Sequence, residues 1–226
     1  MLELDPENIY LARGPRHRLL GELIRDSYLH ASGLLVEEVG GPSVKPYQPE
    51  GLWKEKGEFS NFLLNYRPDE GKDLYRRSMY TFIRRTSPPP AMTTFDASDR
   101  VDCTVQRQET NTPLQPLILM NDPQIIEASR ALAEKMQKEA GGKLENQLVF
   151  GFRRVTGRIP SEKEIEIFTS MFAEELRRFS ENKKDKEALL AIGASKVDRE
   201  LPLEKTAALT MVASLMFNHF DFYTKQ

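Results

Sequence analysis

Residues 74–95 hold four arginines, Arg76, Arg77, Arg84 and Arg85, and no acid. A guanidinium group presents planar donors in a fixed fork that suits carboxylate, phosphate or sulfate, so this cluster is a candidate for anion recognition. The competing role is ion pairing with Asp96, Asp99, Asp102 or other acids, which would pin the surrounding chain. Asp96, in "TTFDASDR", has the chemistry of a general base; a helix N-cap or an arginine partner is the alternative use of the same carboxylate. Arg107, Asn111 and Gln115 follow in "CTVQRQETNTPLQPLILMNDP". Short polar side chains of this kind bond neighbouring backbone and fix irregular turns. Upstream, Lys45, Tyr47 and Trp53 in "GGPSVKPYQPEGLWKEKGEF" join a cation to flat apolar rings.

Other chemistries lack their residues. His17, His30 and His219 stand far apart, with no HExxH or H-x₃-H spacing, so no metal site is expected. Cys103 is the single cysteine, which excludes an intrachain disulfide, a CxxCH haem attachment and a thiolate zinc site. It reads as a buried or inert thiol, since no partner base lies nearby in sequence. There is no Walker loop, GxGxxG or GxSxG, and no cofactor is expected. The 34 acids against 32 bases argue against a general nucleic-acid binder, which would carry a strongly basic face. The apolar run "AALTMVASLMF" is too short to span a membrane. "MLELDPENIY" has no apolar signal region, so composition alone reads as cytosolic.

The elements that must position these residues divide the chain of 226 residues into a loop-rich half, 40–120, and a helical half, 121–226, within one domain. Leu19, Leu20, Leu23, Ile24 and Tyr28 predict an amphipathic helix ending near the glycines of "EEVGGPS". Residues 74–85 fit either a helix or a strand; the helix is favoured and would place Arg77 and Arg84 on one stripe. Loops 40–57 and 86–113 have no period but are rich in proline, which lowers the entropy lost on ordering. Asp122-Pro123 is a helix start, with Ile125, Ile126, Leu132 and Met136 as its stripe and Gly141-Gly142 as its stop. Leu144, Leu148, Phe152 and Val155 predict the next helix, ending at Gly157. "SEKE" is a capping box opening a third helix through Ile165, Phe168, Phe172, Leu176 and Phe179. "ENKKDKE" reads as a charged connection, and a last helix with a broad apolar arc runs from Leu203 to Phe222. The expected fold is mainly α: a helical bundle with long ordered Pro-rich loops and room for one short hairpin.

The runs "ASGLL…GGPSVKPYQPEGLW", "YRRSMYTFIRRTSPPPAMTTFDASDR…CTVQRQETNTPLQPLILMNDP" and "LMFNHFDFYTKQ" closely resemble a planctomycete-type domain of unknown function, from about Asn8 to Tyr223. In that family the domain lies at the C-terminal end of long exported proteins, often with a cytochrome c module and a second uncharacterised domain upstream. The resemblance implies a periplasmic or cell-envelope location and partners among those upstream domains. Family members usually carry further helical sequence and an export signal ahead of the point where this chain starts, so it reads as a C-terminal portion of a larger architecture. No established catalytic residues come with the family.

The expectation is therefore a non-haem helical module whose two Pro-rich loops pack together as a binding or docking surface. Its ligand would be an anionic or carbohydrate molecule, or a neighbouring domain. The residues proposed for it are Lys45, Tyr47, Trp53, Arg76, Arg77, Arg84, Arg85, Arg107, Asn111 and Gln115. Two alternatives stand beside it: a hydrolase or lyase acting on glycans with Asp96 as base, and a purely architectural role in which every arginine is paired and Trp53 is buried. An apolar patch near the first helix, covered by missing helices or by a homodimer, is a further expectation.

Overall fold

The computed structural model describes residues 4–12, 14, 17–49, 51–53, 66–98 and 100–225. Its nine helices among these residues are α1 (Gly21–Ser32), α2 (Pro90–Thr94), α3 (Leu114–Asn121), α4 (Pro123–Glu139), α5 (Leu144–Thr156), α6 (Glu162–Glu181), α7 (Lys183–Leu190), α8 (Leu203–Phe217) and α9 (Phe220–Tyr223). The fold is mainly helical, as expected.

The core is built around α8. Thr206, Ala207, Ala208, Leu209, Thr210, Val212, Ala213, Met216 and Phe217 are all buried, and a helix apolar on every side must be enclosed by others. It packs chiefly between α4 and α6, with α5 against the same cluster and α1 on the outer side of α4. Leu29, Leu132, Met136, Leu148, Phe152 and Leu209 are closed to solvent at the centre. The anticipated signals operate locally. Asp122 accepts from the Gln124 amide at 2.8 Å with Pro123 in the first turn of α4. Ser161 and Glu164 cap α6 reciprocally, and Gly157 ends α5 in the left-handed region at φ 80°.

Several elements differ from the sequence reading. The helix α1 stops at Gly33, not at the later glycines, and its buried stripe is Ile24, Arg25, Tyr28 and Leu29. Leu20 and Leu23 are each 42% exposed. Close approach fixes this phase: a Cβ on Gly21 would lie 3.0 Å from the Met92 carbonyl of α2. Residues 74–85 form no α-helix. They run as two 3₁₀ turns, Gly71–Tyr75 and Ser78–Tyr80, joined by extended residues that bridge Val36 to Arg76 and Val44 to Thr81. Arg77 and Arg84 consequently share no helical stripe. Loop 86–113 contains α2, and α3 follows it. The charged run after α6 is the helix α7, where Lys186 lays its stem on the body and pairs its ammonium with Glu204. The last predicted helix breaks at Asn218, after which His219 caps α9. In place of a hairpin, β1 (His17–Arg18) and β2 (Thr224–Lys225) pair antiparallel and bring the two ends of the described chain together.

Arg158 ties the α5–α6 turn to α9. It reaches Glu164 with two nitrogens at 2.9 and 2.6 Å and Asp221 at 2.6 Å, while His219 lies 3.1 Å from Glu164. The Arg158 hydrogen bonds pull the Glu164 carboxyl down to about 2. Folded Glu164 thus binds its proton less readily than unfolded Glu164. Its contribution is complete above pH 4.5 and is lost as the pH falls toward about 2. Arg158 is 41% exposed, which screens the pair, so the expected loss is about 1–2 kcal/mol. Urea unfolding across this window should show it, and Glu164→Gln should flatten that part of the curve.

Candidate functional site

The two Pro-rich loops meet beside the α3–α4 turn and enclose a groove of about 680 Å³. Tyr47, Gln48 and Pro49 form one wall, and Pro89, Pro90 and Ala91 at the start of α2 form another. Leu117, Ile118 and Asn121 of α3 and Asp122 and Pro123 at the head of α4 complete it. The size falls in the range of small-molecule sites. Its lining is largely apolar, with amide groups from Gln48 and Asn121 and one carboxyl from Asp122. No cation lines it. Burial pushes the Asp122 carboxyl above the usual carboxylate range, although the Gln124 and Ile125 amides and the Arg25 charge oppose the shift.

This geometry rests on side chains that tie the nonperiodic half to the bundle. Arg25 of α1 is buried and donates to the carbonyls of Leu74 and Arg76, each at 2.8 Å, to Ser78 Oγ at 3.2 Å and to Gln124 Oε1 at 2.8 Å. Gln124 in turn donates to the Leu74 carbonyl at 3.0 Å. Once these carbonyls are occupied, Val36 and Val44 can take the remaining backbone of the segment: Val44 N–H donates to Tyr80 and Phe82 N–H donates to Val44, both at 2.8 Å. A buried backbone group must find a partner somewhere. Here side chains from the helices supply many of them.

Of the residues proposed from sequence, Tyr47 alone lines the groove. Arg76 is buried, donates to the carbonyls of Glu38, Gly40 and Pro42, and stacks 4.1 Å from the Tyr80 ring centre. Arg77 reaches Asp26 at 3.1 Å. Arg84 donates to the Trp53 carbonyl at 3.3 Å and lies over its ring. Arg107 grips Glu22 with two nitrogens at 2.8 and 3.0 Å. Each of these guanidinium groups is thus turned to a different part of the fold, and Arg85 is exposed, with no side-chain hydrogen bond or ion pair among the described residues. Lys45 holds Asp69 through its backbone and stands 5.9 Å from the Phe82 ring centre. Trp53 is 2% exposed, wedged against Tyr66 and Phe82.

Asp96 sits at φ 56° and accepts from Thr110 N at 2.8 Å, from Thr110 Oγ1 at 2.9 Å, and from Arg18. Partial burial raises its carboxyl, but the Thr110 bonds and the Arg18 charge outweigh that and hold it low. It ties a turn together and lies away from the groove. Gln115 is likewise buried, donating to the carbonyls of Thr94 and Thr110 at 3.0 Å. Asn111 is exposed. Asp99 and parts of loop 40–57, residues 50 and 54–57, lie outside the described residues. Among the described residues no group of three or more His, Cys, Asp or Glu side chains is placed to hold a metal ion, and no helix is long and apolar enough to cross a membrane.

Sequence reasoning missed Arg25, Glu127 and the groove role of Asp122. The first two carried a signal: each is a charge set inside an apolar helical stripe, beside Ile24 and Tyr28 in one case and Ile126 and Ala128 in the other. A charge in such a place must be satisfied internally.

The family model for PSD1, described as a protein of unknown function (DUF1553), matches residues 1–172. The match takes in the groove and every residue proposed above, and it ends within α6. Neither a curated protein nor a solved structure matches the chain. With about three-quarters of its length under that model, the chain belongs to the PSD1 family of proteins of unknown function (DUF1553).

Proposed function

We propose that the chain is a non-haem binding module whose site is the groove between the Pro-rich loops, and that its ligand is an uncharged saccharide. The observation that carries the reading is the chemistry of the lining. Tyr47 and four prolines (Pro49, Pro89, Pro90 and Pro123) give flat apolar faces, and Gln48, Asn121 and Asp122 give hydrogen-bonding groups at the margin. A sugar ring needs both, a face to stack on and partners for its hydroxyls. Among the described residues of the lining, an anionic ligand would meet Asp122 and no cation. Of the arginines that suggested anion recognition, Arg76, Arg77, Arg84 and Arg107 are engaged within the fold. Asp96, saturated by Thr110 and Arg18, is poorly disposed to accept a proton, which favours binding over glycan cleavage. Placement in an exported system beside cytochrome c-type or other uncharacterised domains rests on the resemblance of the residue runs alone.

The test is titration with cellohexaose and, in parallel, with a sulfated oligosaccharide, read by backbone amide NMR shifts. The expected result is that cellohexaose moves the amides of Gln48, Ala91 and Asn121, and that Tyr47→Ala weakens its binding about tenfold or more, the worth of a stacked aromatic. Arg85→Ala should change nothing. Binding of the sulfated ligand alone, centred on Arg85, would overturn the assignment.

A further inference from the structure

Behind the groove wall, the Tyr47 ring ends in a closed polar cluster. Its hydroxyl accepts from the Ala194 amide at 2.8 Å and lies near the Tyr75 hydroxyl and the Glu127 carboxylate. Glu127, on α4, is fully buried. Its Oε1 accepts from Tyr75 Oη at 2.7 Å and from the Ser195 amide at 2.6 Å. One turn along the helix, Arg130 donates to the Ser195 carbonyl and hydroxyl, each at 2.8 Å. Gly193, at φ 92°, lies directly on the carboxylate, where an added Cβ would stand 2.6 Å from Oε1. Tyr75 and the 193–195 turn thus converge on one side chain, and the same turn holds the Tyr47 hydroxyl through the Ala194 amide.

The choice of a carboxylate here needs a reason. Glu127 Oε2 is buried and has no hydrogen-bond partner among the described residues, which is costly for a polar group and more so for an ionised one. A glutamine could accept the same bonds at its oxygen without a stranded charge. What a carboxylate adds is a stronger acceptor for phenol protons. Held by the Ala194 amide of the turn that Glu127 anchors, the Tyr47 hydroxyl is engaged inside the protein, and Tyr47 offers the groove its ring.

We propose that Glu127 is a positioning residue for the groove: through Tyr75 and the 193–195 turn it locks the Tyr47 ring as a rigid stacking face. This rests on the groove being the binding site, but the lock itself can be read without any ligand. The experiment is NMR of the full chain with ring-labelled tyrosine, comparing wild type with Glu127→Gln and with Tyr75→Phe. Tyr28, a buried tyrosine bonded to Gln124, serves as the internal control. The expected result is that both variants speed flipping of the Tyr47 ring at least tenfold and leave Tyr28 unchanged, and that both weaken cellohexaose binding by a similar factor. Unchanged Tyr47 flipping would overturn the proposal. So would equal acceleration at Tyr28, which would mark a general loosening of the core. A wild type that fails to bind cellohexaose contradicts the saccharide reading alone, and the ring measurement still decides the role of Glu127.

Discussion

Replacing Arg25 with methionine is expected to cost roughly 3–5 kcal/mol, a large share of the ~5–15 kcal/mol that holds a typical domain together. Methionine fills much of the space of the arginine stem, so lost packing contributes little. The loss comes from the acceptors left behind. The carbonyls of Leu74 and Arg76 and the side chains of Ser78 and Gln124 all accept hydrogen bonds from the one guanidinium. None of these positions opens to water when it leaves, because Leu74, Arg76, Ser78 and Gln124 are themselves buried. Each stranded acceptor costs about 1–3 kcal/mol, partly offset by the remaining Gln124–Leu74 bond. Urea denaturation should show a lower midpoint. A loss below about 1 kcal/mol would mean that the segment is held by something else.

The second large effect is expected at Gly193. Alanine there meets two obstacles. The backbone is at φ 92°, a conformation that L side chains rarely adopt. The new methyl would also stand 2.6 Å from Glu127 Oε1, a neighbour that cannot yield because it anchors Tyr75 and Ser195. The expected cost is roughly 3–4 kcal/mol, from strain and from disruption of a buried polar cluster, or a fall in Tm on the order of 10 °C. Gly142 gives the contrast: a Cβ there meets nothing within 4 Å. Thermal unfolding of the two alanine variants side by side checks the argument, and similar melting of both would contradict it.

The helical half was legible because its signals are local. Asp122-Pro123, the Ser161–Glu164 box and Gly157 act within a few residues of themselves, and apolar periodicity reports burial directly. The other half resisted because its backbone is satisfied from a distance. Residues 74–85 have helix-compatible spacing, but their carbonyls are claimed by Arg25, fifty residues earlier, and by Val36 and Val44. No local pattern encodes that. The arginine cluster misled for a related reason: residue type announces what a guanidinium can hold, not whether the fold has already engaged it. Arg76 and Arg84 are spent on loop carbonyls. Tyr47 was recognisable as a ring in a proline-rich loop. Its neighbours across the groove, Pro90, Leu117 and Asn121, read as parts of another loop and an apolar run, and only the tertiary fold brings them to it.

The central claim is that side chains from the helices fix the nonperiodic half as a rigid wall, on which the groove depends. Native-state amide hydrogen exchange of Val36, Val44 and Phe82 tests it most directly, because these amides carry the backbone bonds between the 36–44 segment and residues 75–82. The account requires protection in the wild type approaching that of the amides of α8, and its selective loss in Arg25→Met while α8 stays protected. Exchange of these three amides at unfolded-chain rates in the wild type, beside a protected α8, would contradict it.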